Sequence, residues 1–212
     1  MFFLRLINDS LKFIQIELKE ITLNNLISKS NAYIKTLNNS QISVIQDYTN
    51  LGYKALNTCL RNQDNATKNT CIDKIKVLNN IIENGPINED ELTLYRAINP
   101  SSNSVLKERF KSYKVGDTFS EDAFMSTSYK IQNGFAGKNC CIMKIRCPKG
   151  VNMLYLETIT QMKGEHEILL PPGIKLVLKK IVVVFNKMKK NVFNCDYCTK
   201  DKRFHSKVEL KE

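Results

Sequence analysis

An α+β fold is predicted by three observations. Apolar residues recur at helical spacing through about the first 80 residues, a Gly85-Pro86 pair breaks that pattern, and short β-rich runs follow without returning helices. The 212 residues are 42% hydrophobic and 25% charged, which excludes a disordered chain and suits a single domain with appendages. No glycine-every-third or heptad pattern supports collagen or a long coiled coil.

At the N-terminus, Leu4, Ile7, Leu11, Ile14 and Leu18 lie on one helical face. That amphipathic helix packs on the body, with a membrane surface as the alternative. Arg5, Asn8, Asp9 and Lys12 interrupt the apolar start, so no signal peptide is expected, and the reading is of action in a cytoplasm, a host cell's included. No run approaches the roughly 20 apolar residues of a transmembrane helix.

Beyond Pro86, Leu92, Leu94 and Arg96 share one strand face, and Thr93, Tyr95 and Ala97 the other. Residues 141–147 alternate in the same way, with Met143, Ile145 and Cys147 opposite Ile142, Lys144 and Arg146. The β-branched run 174–185 predicts one or two strands. No internal repeat is present. The expected organisation is a helical extension over 1–39, a body over 40–190 and a basic polar tail over 191–212.

Net charge is +11, and 11 Lys+Arg against 4 Asp+Glu fall between Gly173 and Glu212. A basic tail of this kind suits nucleic acid, an acidic partner or anionic lipid, or is simply a solvated Lys-rich surface. Sparse aromatic interleaving argues against nucleic acid. Seven cysteines without regular spacing point to a reducing compartment. Cys195, Cys198 and His205 supply three ligands of a zinc site, with a fourth needed from Cys140, Cys141 or Cys147; thiols on a tail are the alternative, and no metal is expected.

Three groups carry candidate chemistry. Glu165 and Glu167 flank His166 between a Lys163-Gly164 loop and the apolar run Ile168–Leu170. On an extended segment such i, i+2 carboxylates face one side, roughly 6.7 Å apart. Ser126, Thr127 and Ser128 sit on a short strand with no G-x-S-x-G elbow and only two histidines in the chain, so none reads as a nucleophile. Arg96, one of only six arginines, lies mid-strand, where a half-buried guanidinium needs an anion, either a carboxylate or a phosphate.

In order along the chain, Arg96, Ser126-Thr-Ser128 and Glu165-x-Glu167 resemble the mono-ADP-ribosyltransferase toxin and exoenzyme family of the Arg–Ser–Glu class, which includes clostridial Rho- and actin-modifying toxins. The stretch from Tyr48 to Arg61 resembles the family's YTG-x-x-Y-x-x-I-N-x-x-L-R helix. Phe135-Ala-Gly-Lys138 falls where its phosphate–nicotinamide loop carries F-x-x-R, and Glu167-Ile-Leu-Leu-Pro-Pro-Gly173 is similar to its E-V-L-L-P-P-G. Together these cover about residues 40 to 180.

The resemblance implies N-terminal helices followed by two packed, mostly antiparallel sheets around an NAD cleft. It implies an enzyme that cleaves NAD, without a metal, at the nicotinamide–ribose bond and transfers ADP-ribose to a protein. It makes Arg96, Ser126, Glu165 and Glu167 catalytic, and it implies that Asn57, Arg61, Arg96, Thr127, Ser128, Phe135 and Lys138 hold NAD. Glu at position 165 accompanies arginine acceptors in the family, so the expected partner is a protein carrying an acceptor arginine. The alternatives are an NAD glycohydrolase or a catalytically silent basic module binding nucleic acid on the same fold. Lys138 in place of Arg keeps the charge and loses the bidentate fork. Met162 stands where many relatives place an aromatic.

Overall fold

A computed structural model describes residues 20–62, 65–98, 113–131, 141–185 and 189–197. Helix α1 is described over 20–34, α2 over Asn39–Asp47, α3 over Tyr53–Arg61 and α4 over Asn65–Glu83. Asn38 starts α2 through a reciprocal capping box. Its Oδ1 accepts the Gln41 amide at 2.9 Å, and its own amide donates to Gln41 Oε1 at 3.0 Å. Between α2 and α3 the chain widens into a π-helical turn, Tyr48–Gly52. Past α4 the Gly85 amide closes on Ile82 O and Pro86 follows, ending the helical half where the sequence places the break.

Eight strands follow: β1 (Leu92–Ile98), β2 (Thr118–Glu121), β3 (Met125–Ser128), β4 (Cys141–Cys147), β5 (Leu154–Tyr155), β6 (Glu167–Leu170), β7 (Ile174–Phe185) and β8 (Lys189–Tyr197). Their hydrogen-bonded order is β2-β7-β8-β4-β1-β3-β6-β5, antiparallel except at β4/β8. A single residue pair, Tyr95 opposite Ser128, joins β1 to β3. At that weak joint the ribbon divides into a five-stranded sheet, β2-β7-β8-β4-β1, and a three-stranded sheet, β3-β6-β5.

Burial shows how the sheets stack. Leu92, Leu94, Met143, Ile145 and Leu176 of the larger sheet share one apolar cluster with Met125, Ile168 and Leu170 of the smaller. The other face of the smaller sheet gives Leu154 and Leu169, which join Ile45, Leu56, Leu78 and Ile81 of the helices. The smaller sheet is thus a middle layer, covered by helices on one side and by the larger sheet on the other. Ile168, Leu169 and Leu170 are fully buried on the two faces of β6, so they read as a continuous apolar run rather than an alternation.

One boundary differs from the sequence reading. Residues 191–197, expected to begin a polar tail, belong to β8, which pairs with β4 on one side and β7 on the other. Asn191, Asn194 and Asp196 dilute the composition of that segment, while backbone pairing on both edges supplies its order. Helix α1, within the expected extension, packs on the body. Leu26 enters the inter-sheet cluster, and buried Ser30 accepts the Tyr155 amide at 3.1 Å. Leu4 to Leu18 lie outside the described residues. No helix among the described residues is long and apolar enough to cross a membrane.

Leu169 is fully buried between the helices and the middle sheet. Leu169→Ala is expected to destabilise the fold by about 2–5 kcal/mol, read as a lowered midpoint in denaturant unfolding with an unchanged slope.

Candidate active site

The middle sheet, the start of α3 and the end of β1 enclose a cavity of about 450 Å³. Its depth is defined by Glu167, 5% exposed at the first position of β6. The β3/β6 register sets Ser128 opposite Glu167 and Ser126 opposite Leu169, so Ser126 lies diagonally across from Glu167 on the same face. The Ser126 hydroxyl hydrogen-bonds the Glu167 side chain. Burial pushes the Glu167 carboxyl up to about 7; the Ser126 hydrogen bond opposes this, Glu165 adds to it, Arg96 opposes it and Glu157 adds to it. Glu165, half-buried at the mouth of the cavity, is also shifted upward, by burial and by Glu157.

Both glutamates line the cavity, but strand periodicity is not the reason. His166 between them has a φ of 50°, and β6 begins only at Glu167. The expected extended i, i+2 geometry is therefore replaced by a left-handed residue, a conformation uncommon for a side chain with a Cβ. The ring of His166 is held on the neighbouring strand exit: Tyr129 OH lies 3.2 Å from Nδ1, and Lys130 Nζ lies 3.1 Å from Nε2. The ammonium can only donate, so Nε2 accepts and Nδ1–H donates to the Tyr129 oxygen.

Ser128 is buried, and its hydroxyl donates to the Glu165 carbonyl at 2.8 Å. It fixes the backbone behind the site and is not among the residues lining the cavity, unlike the expected cofactor contact. Thr127 does line it, and its hydroxyl donates to Ile168 O at 2.6 Å.

Arg96 reaches the cavity from the end of the Leu92/Leu94 face. The anion that its position demands is Glu121, at the end of β2: Arg96 Nη2 lies 3.7 Å from Oε2, and Arg61 Nε donates to Oε1 at 3.0 Å. Arg61 thus meets this carboxylate and does not itself line the cavity. Arg96 Nη1 remains buried without a hydrogen-bond partner.

The opposite wall comes from the π-helical turn and α3. Asn57 Nδ2 donates to Tyr48 OH at 3.3 Å, while Asn57 Oδ1 is buried and unpartnered. Gly52 is required in this turn, because a Cβ there would meet Asp47 O at 2.7 Å and Asp47 Oδ2 at 2.8 Å. Around the mouth stand Leu51, Tyr53 and Met162, all exposed apolar side chains.

Phe135, Lys138, Cys198 and His205 lie outside the described residues, and of Cys195 only the backbone in β8 is described. No group of three His, Cys, Asp or Glu able to hold a metal occurs among the described residues. Sequence reasoning missed Glu121 and Glu157. Each is an ordinary acidic residue in a turn-rich segment, and only pairing between distant segments reveals its partners. Tyr48 opens the helix motif, yet it is the intervening π-helical turn that brings its hydroxyl to Asn57.

The model of the ADP-ribosyltransferase exoenzyme family matches residues 24–200. An NAD(+)--arginine ADP-ribosyltransferase of Enterococcus faecalis is 27% identical over 158 residues; the match takes in 71% of this chain, which spans 31% of that relative's length. Plx2a, an ADP-ribosyltransferase toxin from Paenibacillus larvae, superposes with a TM-score of 0.72 at 20% identity, over 85% of this chain and 96% of its own. BECa, the ADP-ribosylating toxin of a binary enterotoxin of C. perfringens, solved with NADH, gives 0.71 at 21% identity over 84% of this chain and 48% of its own.

The raised Glu167 carboxyl has a stability consequence. Between the ordinary carboxylate range and about 7 the folded state binds the proton and the unfolded chain releases it, so stability declines as pH rises through that window. Glu167→Gln removes this loss and is expected to stabilise the protein by about 1–3 kcal/mol more at pH 8 than at pH 5, measured by denaturant unfolding at both pH values.

Proposed function

The chain belongs to the ADP-ribosyltransferase exoenzyme family, and we propose that it takes NAD as co-substrate, breaks the nicotinamide–ribose bond and transfers ADP-ribose to an arginine of a protein. The observation that carries this reading is the convergence of two glutamates on one cavity, the inner one buried and hydrogen-bonded to Ser126 and the outer one at the mouth. The arginine ADP-ribosyltransferase activity for which the Enterococcus relative is named and the NADH in the BECa structure support the acceptor and the co-substrate.

The residues fit a dinucleotide. The cavity is within the size range of small-ligand sites, and it presents one buried unpartnered donor, Arg96 Nη1, and one buried unpartnered acceptor, Asn57 Oδ1. Buried polar atoms are rarely left unpaired, so both favour a polar ligand. Arg96 suits a phosphate, which a guanidinium binds through parallel N–H bonds. Arg61 supports it indirectly, through the shared Glu121.

NAD supplies a glycosidic bond whose cleavage leaves positive charge on the ribose. Glu167, ionised, accepts a hydrogen bond from a ribose hydroxyl and stabilises that charge from a buried position. Ser126 keeps the carboxylate in this orientation. As the C1′–N bond breaks, its electron pair leaves with nicotinamide. A guanidinium nitrogen then bonds to C1′ and passes its proton to Glu165. An arginine side chain stays protonated in water and is a poor nucleophile until a carboxylate orients it and takes the proton, the role that the position of Glu165 supports. Leu51, Tyr53 and Met162 offer apolar contact around the mouth, which favours a protein acceptor over a small solute.

Labelled NAD, with and without a guanidino acceptor such as agmatine, tests the reading. Glu165→Gln is expected to lose transfer by about 10²–10³ and to keep NAD hydrolysis, whereas Glu167→Gln loses both. Full transfer by Glu165→Gln refutes the arginine assignment, and absence of any NAD turnover by the unaltered protein refutes the enzymatic one. Because Glu167 acts ionised, kcat/KM for NAD is expected to fall as pH drops through about 7, and to level off above it.

A further inference from the structure

The segment between β5 and β6 carries Glu165 to the cavity mouth, and it is built from conformations that do not hold themselves. Gly164 has a φ of 86° and His166 a φ of 50°, so the residues on both sides of Glu165 are left-handed. A Cβ on Gly164 would meet nothing within 4 Å, so no packing confines that residue. The Ser128 hydroxyl holds the Glu165 carbonyl and Tyr129 and Lys130 hold the His166 ring, which leaves the Gly164 and His166 amides to be fixed.

Glu157 holds both of these amides. Its Oε1 accepts the Gly164 amide at 2.6 Å and its Oε2 accepts the His166 amide at 2.9 Å, so one carboxylate grips the residues immediately before and after Glu165. Lys163 Nζ adds a hydrogen bond to the Glu157 carbonyl. The grip is mounted on a rigid base. The β5/β6 ladder continues with Leu156 N donating to Glu167 O at 3.0 Å, which brings the next residue, Glu157, alongside the loop. The Ile159 and Thr160 amides both close on Leu156 O, and Thr158 Oγ1 donates to Asn31 Oδ1 of α1 at 3.0 Å.

We propose that Glu157 is the positioning residue of the acceptor-side glutamate: by holding the Gly164 and His166 amides it sets the direction in which Glu165 enters the cavity, and so decides whether ADP-ribose passes to a guanidine or to water. The role in transfer rests on the function proposed above. The residue type follows from the task. Two N–H groups converging from one loop need two acceptors at a fixed separation. A carboxylate offers both, and a hydrogen bond to an ionised acceptor is roughly twice as strong as a neutral one. Glutamine offers one acceptor and turns an NH₂ group toward the second amide. Aspartate lacks the methylene that carries the carboxylate to the loop.

Two measurements on the full chain test this. The first is amide hydrogen exchange, which needs no substrate. The Gly164 and His166 amides are expected to exchange at least about tenfold faster in Glu157→Ala than in the unaltered protein, while the Ile168 and Leu170 amides of β6 keep their protection. Unchanged exchange at Gly164 and His166 overturns the proposal. The second is the ratio of agmatine ADP-ribosylation to NAD hydrolysis. It is expected to fall about tenfold in Glu157→Ala and less in Glu157→Gln, with KM for NAD altered by less than about twofold. Gly164→Ala, which leaves Glu157 intact and strains the same loop, is expected to lower the ratio in the same direction. A Glu157→Ala protein that keeps the ratio overturns the proposal, as does one in which KM for NAD and hydrolysis collapse together with the midpoint of unfolding. An unaltered protein that hydrolyses NAD and transfers nothing to agmatine refutes the arginine acceptor alone, and amide exchange then decides the role of Glu157.

Discussion

Glu167 brings a carboxylate to the first position of a strand whose next three residues are fully buried on both faces. Ile168 and Leu170 are locked into the inter-sheet cluster and Leu169 into the helical one, so the strand cannot slip or tilt without opening both. A register slip of one residue would turn Glu167 into the sandwich and expose Ile168, which makes the placement of the carboxylate as secure as the core itself. The cost of that security is a desolvated acid. The Ser126 hydroxyl and Arg96 ease its ionisation, and the neighbouring carboxylates oppose it, leaving the group poised near neutrality.

The helical wall answers the same need in a different way. Tyr48 approaches the cavity from a π-helical turn and Asn57 from α3 just after it, and the extra residue per turn rotates α3 relative to α2 so that Asn57 points inward. The widened turn brings the Asp47 carbonyl and side chain against residue 52 so closely that only glycine fits. Asp47 is held from outside by Lys74 of α4 at 2.9 Å, so a surface ion pair backs the geometry of a buried polar group. Such a pair adds little stability in itself, and its value here is to limit where Asp47 can go.

Much of this was legible in the sequence, for identifiable reasons. The helical half from residue 20 onward, the break at Gly85-Pro86 and the alternation of Met143, Ile145 and Cys147 are local patterns, and they appear as read. Arg96, Ser126, Glu165, Glu167, Asn57 and Thr127 converge on one cavity, as their order along the chain suggested. What sequence could not supply was long-range or conformational. Glu121 finds Arg61 sixty residues away, and Glu157 closes on a loop whose two left-handed residues are invisible in an E-x-E string. Ser128 shows the limit of motif reading. It shares the face of Ser126, yet its hydroxyl serves the Glu165 backbone, because the register puts it at the strand end where that carbonyl waits.

The cleft itself follows from how poorly the two sheets are joined. Strand β1 pairs with β4 along its full length, from Leu92 to Ile98, and touches β3 at one residue pair. Had β1 and β3 paired along their lengths, the sheets would be one surface, with Arg96 in its plane and no space beside Ser126. The ladder instead stops at Tyr95, and the next residue, Arg96, leaves it while β4 still holds the backbone from the other edge. Its guanidinium can then face the Ser126–Glu167 pair across a gap rather than through a hydrogen-bonded neighbour. Glu121, at the end of β2, holds the guanidinium against collapse onto Glu167, since an arginine shared with a second carboxylate has less to gain from the first. A well-paired strand beside a barely paired one thus keeps an arginine and a buried carboxylate near each other without letting them neutralise. The roles proposed for the two groups, a phosphate bound at one end and positive charge stabilised at the other, require that separation.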